Sequence, residues 1–398
     1  MECIYTGVSM KKILFILLLI TLLVTGCSND YNEEIISIDN TFSIIESIDG
    51  RLVGSDGNFE FAEKLKGLIK NYENDNLKLY TQKYDYKTLD SYKFVVEAEN
   101  TQLIIDESNS YVAILDENIN KDKKILLESL NLINKQVDKN QIVTKIGNVA
   151  TTTIYINQNI EAKLKKLPKN NLNITFEPQY GSYELENIYT LIKGKSSSNA
   201  IVITAHYDSY GGVNNNPSKG AIDNGSGIAI VLELIKNFSK DKRIPENDLI
   251  FAFVNSEEGM SVTGGGSKVL SEMLNENYES IFNINLDCLG QKDLNTVFYG
   301  LQGNINNDFF SQKLNEIFSN DYSVVKTDFY PSDHLNFTNS MYIHNIDYGD
   351  KLNKNIHKND NVNNIDMTSL KNISEKISKL ISDICYTEDN KLLYSFDR

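Results

Sequence analysis

The spacing of apolar positions changes several times along this chain, and each change predicts an element. Between Ile35 and Tyr72 the pattern is helical: Phe61, Leu65, Leu68, Ile69 and Tyr72 recur three or four residues apart, which places them on one helix face. Gly50-Arg51-Leu52-Val53-Gly54-Ser55-Asp56-Gly57 interrupts this region as a glycine-punctuated loop. Leu77 to Tyr86 alternates as a strand, and Phe94 to about Glu184 carries short β-like runs such as FVVEA, KILLE, TTTIYI and LNITF. The strongest runs come later. Ala200–Ala205, Asp248–Val254 and Ser280–Leu286 are short, apolar and rich in β-branched or aromatic residues, which predicts buried strands. Tyr342–Ile346 predicts another. An apolar helix, IAIVLELIKNF, follows the first of these strands. Ser369 to about Cys385 closes the pattern as an amphipathic helix, with Leu370, Ile373, Ile377, Leu380, Ile381 and Ile384 toward the core. Strands alternating with helices predict an α/β fold, a three-layer sandwich with a largely parallel, mixed central sheet.

The beginning of the chain has a different character. Met10-Lys11-Lys12 precedes an apolar run from Ile13 to Val24, then Val24-Thr25-Gly26-Cys27 and a polar stretch. The run falls short of the about 20 residues that cross a bilayer and fits the apolar region of a signal peptide. Its ending resembles the bacterial lipobox, which implies lipidation of Cys27, membrane attachment through that lipid and an extracytoplasmic location. The organisation that follows is a lipoprotein signal peptide over 1–26, a tether over 27–34, the first part of the main domain over 35–93, a small β-rich insert over 94–185 and the domain core over 186–390. The insert weakly resembles a protease-associated domain; the alternative is that its runs are extra strands of the main domain.

Composition narrows the partners. With 39 basic and 54 acidic residues the formal net charge is -15, so a phosphate backbone would be repelled and nucleic acid is not expected as a partner. Beyond Cys3 and Cys27 only Cys288 and Cys385 remain. They offer neither a disulfide framework nor thiolate ligands at metal spacing.

The chemistry gathers where the apolar runs stop. The strand Ala200–Ala205 ends in His206-Tyr207-Asp208, and its following loop carries Asp223-Asn224-Gly225-Ser226-Gly227. The next ends in Glu257-Glu258, the third in Asp287, and His357 stands in a polar loop before the last helix. In a parallel sheet these ends share one edge, the usual place of an α/β site. So many carboxylates in one crevice repel each other, and a divalent cation resolves the conflict. Imidazole and carboxylate without thiolate suit Zn²⁺, and also Mn²⁺ or Co²⁺.

The order HYD, DNGSG, EE, NLDCLG and HKND resembles the co-catalytic zinc peptidases, the family that includes bacterial leucyl aminopeptidases, aminopeptidase Y and glutamate carboxypeptidase II. Arg51-Leu52-Val53-Gly54-Ser55 and Ser332-Asp333-His334 are also similar to segments of that family. The resemblance covers roughly Ile35–Asp90 and Glu186–Cys385. It implies two zinc ions: His206 and Asp287 on one, Glu258 and His357 on the other, and Asp223 between them. It implies that Asp208 orients His206, that Asp360 supports His357, and that Glu257 is the general base for a metal-activated water. Tyr330 stands one position from where a family tyrosine contacts the oxyanion; the alternative is an ordinary loop aromatic. Ser332, Asp333 and His334 are consecutive and cannot form a serine triad without contortion, so a supporting role is expected of them. His344, inside a strand-like run, is expected in the core.

The implied activity is a zinc-dependent peptidase, an aminopeptidase acting on peptide or protein N-termini. Carboxypeptidase and glutaminyl cyclase activities share the scaffold. A non-catalytic receptor on it usually lacks ligands or the base, whereas this chain retains all six residues.

Overall fold

The computed structural model describes residues 35–98, 100–106, 108–114, 125–126, 141–146, 150–156, 158–167, 172–210, 218–259, 265–328, 330–346 and 360–387. The signal-peptide and lipobox segment with Cys27, the tether and His357 lie outside them.

Helices α1 (Ile38–Ser47) and α2 (Asp56–Lys70) come first, followed by strand β1 (Leu77–Ala98). Then come β2 (Thr101–Asp106), β3 (Ser110–Ile114), β4 (Ile125–Leu126), β5 (Gln141–Ile146), β6 (Ala150–Ile156), α3 (Gln158–Leu164) and β7 (Leu172–Ile192). The second half alternates: β8 (Ser196–His206), α4 (Ser226–Lys240), β9 (Asn247–Val254), α5 (Gly266–Asn277), β10 (Ser280–Leu286), β11 (Thr296–Gln302), α6 (Asn307–Phe318), β12 (Ser323–Lys326), β13 (Ser340–His344) and α7 (Met367–Cys385). The large sheet has the order β12-β11-β13-β10-β8-β9-β7-β1-β2, with β4 beside β7. Its middle, β13-β10-β8-β9, is parallel, while β11 against β13 and β9 against β7 are antiparallel. This is the mixed sheet expected from the alternating pattern.

Alternation along the strands divides the core between two faces. Ile201, Ile203, Phe251, Phe253, Phe282 and Ile284 join helices α1, α2, α4, α6 and α7 in one cluster. Ala200, Val202, Ile250, Ala252 and Ile281 meet Leu270 and Leu274 of α5 and Phe337 in another. That both faces are covered explains the continuous apolar runs Ile201–Ala205 of β8 and Leu249–Val254 of β9. Helix α7 buries all six predicted positions, each stabilising the fold by roughly 1.5–3 kcal/mol. Its N-cap, Asp366, accepts the Thr368 and Ser369 N–H groups.

The insert is reached along two long strands. β1 pairs with β7 from Leu77↔Ile192 to Ala98↔Leu172, with one irregularity between Leu89 and Ser91. Residues 94 and 185 both fall inside these unbroken strands. The runs FVVEA and LNITF are the far ends of β1 and β7, so the pairing continues across the expected boundary. A second sheet, β3-β6-β5, lies beyond it.

Candidate metal centre

Three neighbouring parallel strands deliver the site, and the chain bends sharply where each one ends. His206 is the last residue of β8. After β9, Ser256 adopts φ 64, and after β10, Cys288 adopts φ 52. These are left-handed conformations that cost a non-glycine residue on the order of 1–3 kcal/mol. The first is braced: the Ser256 hydroxyl lies 3.0 Å from the Tyr84 hydroxyl and receives the Gly266 N–H at 3.1 Å. The bend aims Glu257 and Glu258 back over the sheet edge. Gly227, at the start of α4, allows the closest approach: a Cβ there would stand 2.5 Å from the Leu286 carbonyl oxygen. The turn Ala221–Gly225, which carries Asp223, therefore packs directly on the end of β10.

The donor atoms converge. Ligand atoms of His206, Asp223 and Glu258 all lie within 4.8 Å of one another, as do those of Asp223, Asp287 and Cys288. Asp223 belongs to both groups. His206 Nε2 is 3.1 Å from Asp223 Oδ1 and 3.5 Å from Asp287 Oδ1. Yet neither His206 Nε2 nor Asp287 Oδ1 makes a hydrogen bond, although both atoms are buried. Buried polar atoms without partners cost about 1–3 kcal/mol each. A cation accepting both lone pairs removes that cost, so these residues fit a bound zinc.

The electrostatics agree. Burial, together with Asp333, Asp287 and Asp223, pushes the Glu257 carboxyl well above its ordinary value, against a smaller opposing pull from His206. Burial and then Asp223 and Glu257 do the same to Glu258. Burial works against a charged His206, but Asp208, Asp223 and Asp287 outweigh it and raise its pKa well above the usual value.

The supporting acids also bond backbone away from the two histidines. The Asp208 carboxylate is 3.7 Å from His206 Nδ1, beyond hydrogen-bond length, and the Asp208 backbone carbonyl takes that contact at 3.2 Å. The carboxylate is occupied elsewhere, by the N–H groups of Glu257 at 3.2 Å and Glu258 at 2.8 Å. Asp360 accepts the Ile222 and Asp223 N–H groups at 2.9 and 2.8 Å, so it fixes the Asp223 turn. Tyr330 is buried in a stack, its ring 4.5 Å from His344 and 5.5 Å from Tyr342. Ser332 donates to Asp287 Oδ2 at 2.6 Å. His344 is in the core as expected, and burial lowers its pKa to about 4.

Arg51 acquired no role in the sequence. Its guanidinium is buried and donates to the carbonyls of Tyr207 at 2.7 Å, Lys219 at 2.5 Å and Gly220 at 3.0 Å. It ties the end of β8 to the Asp223 turn. Burial lowers its pKa to about 10, opposed by Asp360, Asp208, Asp223 and Glu258, so it remains a cation at neutral pH. Its place in a glycine-punctuated loop and the similarity of Arg51–Ser55 to a family segment were signals without a role attached.

A mixed sheet with imidazole and carboxylate groups converging at its carboxyl edge fits the metallohydrolase class of α/β protein. Residues 187–381 match the profile of peptidase family M28, and this part of the chain is an M28 metallopeptidase domain. The chain is 32% identical over 137 residues to a vacuolar membrane protease of Schizosaccharomyces japonicus, covering 34% of this chain and 13% of that protein. It thus spans a small part of the curated relatives it matches. Its fold is similar to that of BSAP, a zinc aminopeptidase from Bacillus subtilis, with a TM-score of 0.63 and 17% identity over 91% of this chain and 98% of that one. The aminopeptidase from Aneurinibacillus sp. strain AM-1 is similar at a TM-score of 0.57 and 15% identity, over 91% and 95% of the two chains. No helix among the described residues is long and apolar enough to cross a membrane.

Proposed function

We propose that the chain is a zinc-dependent aminopeptidase that removes residues from free peptide N-termini. The observation that carries this reading is the convergence of the His206, Asp223 and Glu258 donor atoms within 4.8 Å at the ends of buried elements. His206 and Asp287 would hold one ion, Glu258 and His357 a second, and Asp223, whose carboxylate lies close to donor atoms of His206, Glu258 and Asp287 alike, would serve both. Mn²⁺ or Co²⁺ would substitute. Bound zinc supplies a polarised scissile carbonyl and a water acidic enough to lose its proton near neutral pH.

The remaining work falls to the chain's own groups. Glu257 accepts the proton of the attacking water and returns it to the leaving amine nitrogen. Its carboxyl, buried beside the donor cluster and held by the Asp208 contact to its backbone, is placed for that proton. Asp208 fixes the backbone of both glutamates, and Asp360 fixes that of Asp223. The Val24-Thr25-Gly26-Cys27 motif supports attachment by a lipid on Cys27, outside the cytoplasm. Digestion of a peptide library by the zinc-loaded protein, read by mass spectrometry, tests the activity. Single residues should leave from free N-termini and none from Nα-acetylated peptides. Trimming from the carboxyl end, or cyclisation of N-terminal glutamine, would point to one of the other activities of this scaffold.

A further inference from the structure

Strand β10 and the residue after it read S-I-F-N-I-N-L-D, with Phe282, Ile284 and Leu286 on one face. The other face carries Ile281, Asn283, Asn285 and Asp287. By alternation alone this second face would meet solvent, but Asn283 and Asn285 are buried at 0% and 1% exposure. Thr204 of β8, which pairs with Asn285, is equally buried. The polar residues sit between the apolar cluster under α5 and the metal centre.

Their hydrogen bonds run in one direction. Asn283 Nδ2 donates to Thr204 Oγ1 at 3.0 Å. A hydroxyl has a single proton, and that of Thr204 goes to Asn285 Oδ1 at 2.8 Å. The other end of the Asn285 amide, Nδ2, donates to Ser332 Oγ at 2.8 Å. The Ser332 proton then goes to Asp287 Oδ2 at 2.6 Å. An amide can only donate from nitrogen and accept at oxygen, so each link fixes the sense of the next. Asp287 Oδ2 is the final acceptor, and Oδ1 is left facing His206 Nε2 at 3.5 Å.

We infer that Asn283, Thr204 and Asn285 are positioning residues that, through Ser332, present Asp287 to the metal by its Oδ1 alone. This rests on the zinc-site reading above. Packing alone does not call for these residue types, because a fully buried polar pair can often be exchanged for apolar groups of equal shape at little cost to the fold. Their chemistry is needed at the end of the line, where an ion must meet one carboxylate oxygen and not the other.

Zinc affinity of the full chain, measured by competition with a chromophoric chelator, tests this. Thr204→Val keeps the shape and cuts the line. It should weaken zinc binding about 10-fold, as loss of a partner behind a metal ligand typically does, and Thr204→Ser should restore the wild-type value. Ser332→Ala should weaken binding as well, and adding Thr204→Val to it should cost nothing more, because the link to Asp287 is already cut. Wild-type affinity in Thr204→Val, or losses that multiply in the double variant, would overturn the inference. If the valine variant does not fold, Thr204→Ala replaces it in the same cycle. Failure of the wild type itself to bind zinc would remove the site reading, a result seen before any variant is compared.

Discussion

The Asp208 carboxylate receives the Glu258 N–H at 2.8 Å on Oδ2, and its Oδ1 takes the adjacent Glu257 N–H at 3.2 Å. One carboxylate at the end of β8 thus sets the loop after β9, and with it the separation of a proposed base from a proposed ligand. Asp208→Asn leaves one oxygen and one NH₂ group, so one glutamate N–H loses its acceptor. Hydrolysis should fall about 10- to 100-fold, with zinc affinity reduced in parallel. A variant with unchanged activity would assign Asp208 to loop packing alone.

The adjacent glutamates should separate by their roles. Glu257→Gln should retain bound zinc and the fold while losing about 10²–10⁴-fold in kcat through the missing proton transfer. Glu258→Gln should lose metal as well as rate. Metal content and kcat measured on both variants check this, and equal metal loss in the two would reject the division of labour.

Much of this arrangement was readable in the sequence because it is local. His206 and Asp287 directly follow apolar runs and Glu257 and Glu258 stand shortly after one, so knowing the strand places them, while Asp223 lies farther on, in the turn before α4. What escaped was non-local or ran against pattern. Arg51 reaches three carbonyls more than 150 positions away, and no spacing announces that. Asp360 also fixes the Ile222 and Asp223 N–H groups, a contact across the chain that no spacing announces. Asp208 was assigned to the His206 ring, but its carboxylate bonds a different strand's loop. Asn283 and Asn285 drew no reading of their own inside a run expected to be buried, because a pattern along one strand cannot show what their amides bond on the next.

Arg51 should be a structural keystone. Arg51→Met leaves the Tyr207, Lys219 and Gly220 carbonyls without their donor and removes a buried cation from among four acids. Breaking a buried charged network of this kind costs about 3–5 kcal/mol. Urea denaturation checks it. Arg51→Lys should recover only part, because an ammonium lacks the planar fork of donors. A loss under 1 kcal/mol in the methionine variant would contradict the bonding described.

The metal-free protein should be less stable at higher pH. Burial raises the Asp333 and Asp360 carboxyls from 3.8 to about 7. A folded-state pKa above the unfolded one means the fold binds more protons. The stability these groups contribute is therefore complete below pH 3.8 and is lost as pH rises to about 7. His334 and His344, lowered by burial to about 4, act in the opposite sense, with stability lost as pH falls from 6.5 toward 4. The raised carboxyls of Glu257 and Glu258 and the raised imidazole of His206 add to the first set. Melting temperatures in chelator should thus drop between pH 5 and 7.5, and zinc should reverse the drop at pH 7.5. A chelated protein that melts higher at pH 7.5 than at pH 5 would show that the acid cluster does not dominate.

The central claim is that the strand-end cluster is a zinc-dependent hydrolytic centre, and metal removal and return on one preparation tests it most directly. Chelated and dialysed protein is assayed on a peptide with a free N-terminus, then zinc is added back. The account predicts no hydrolysis without metal, recovery on adding zinc, and no recovery in His206→Ala. Sustained hydrolysis by protein shown by elemental analysis to contain no transition metal would contradict it.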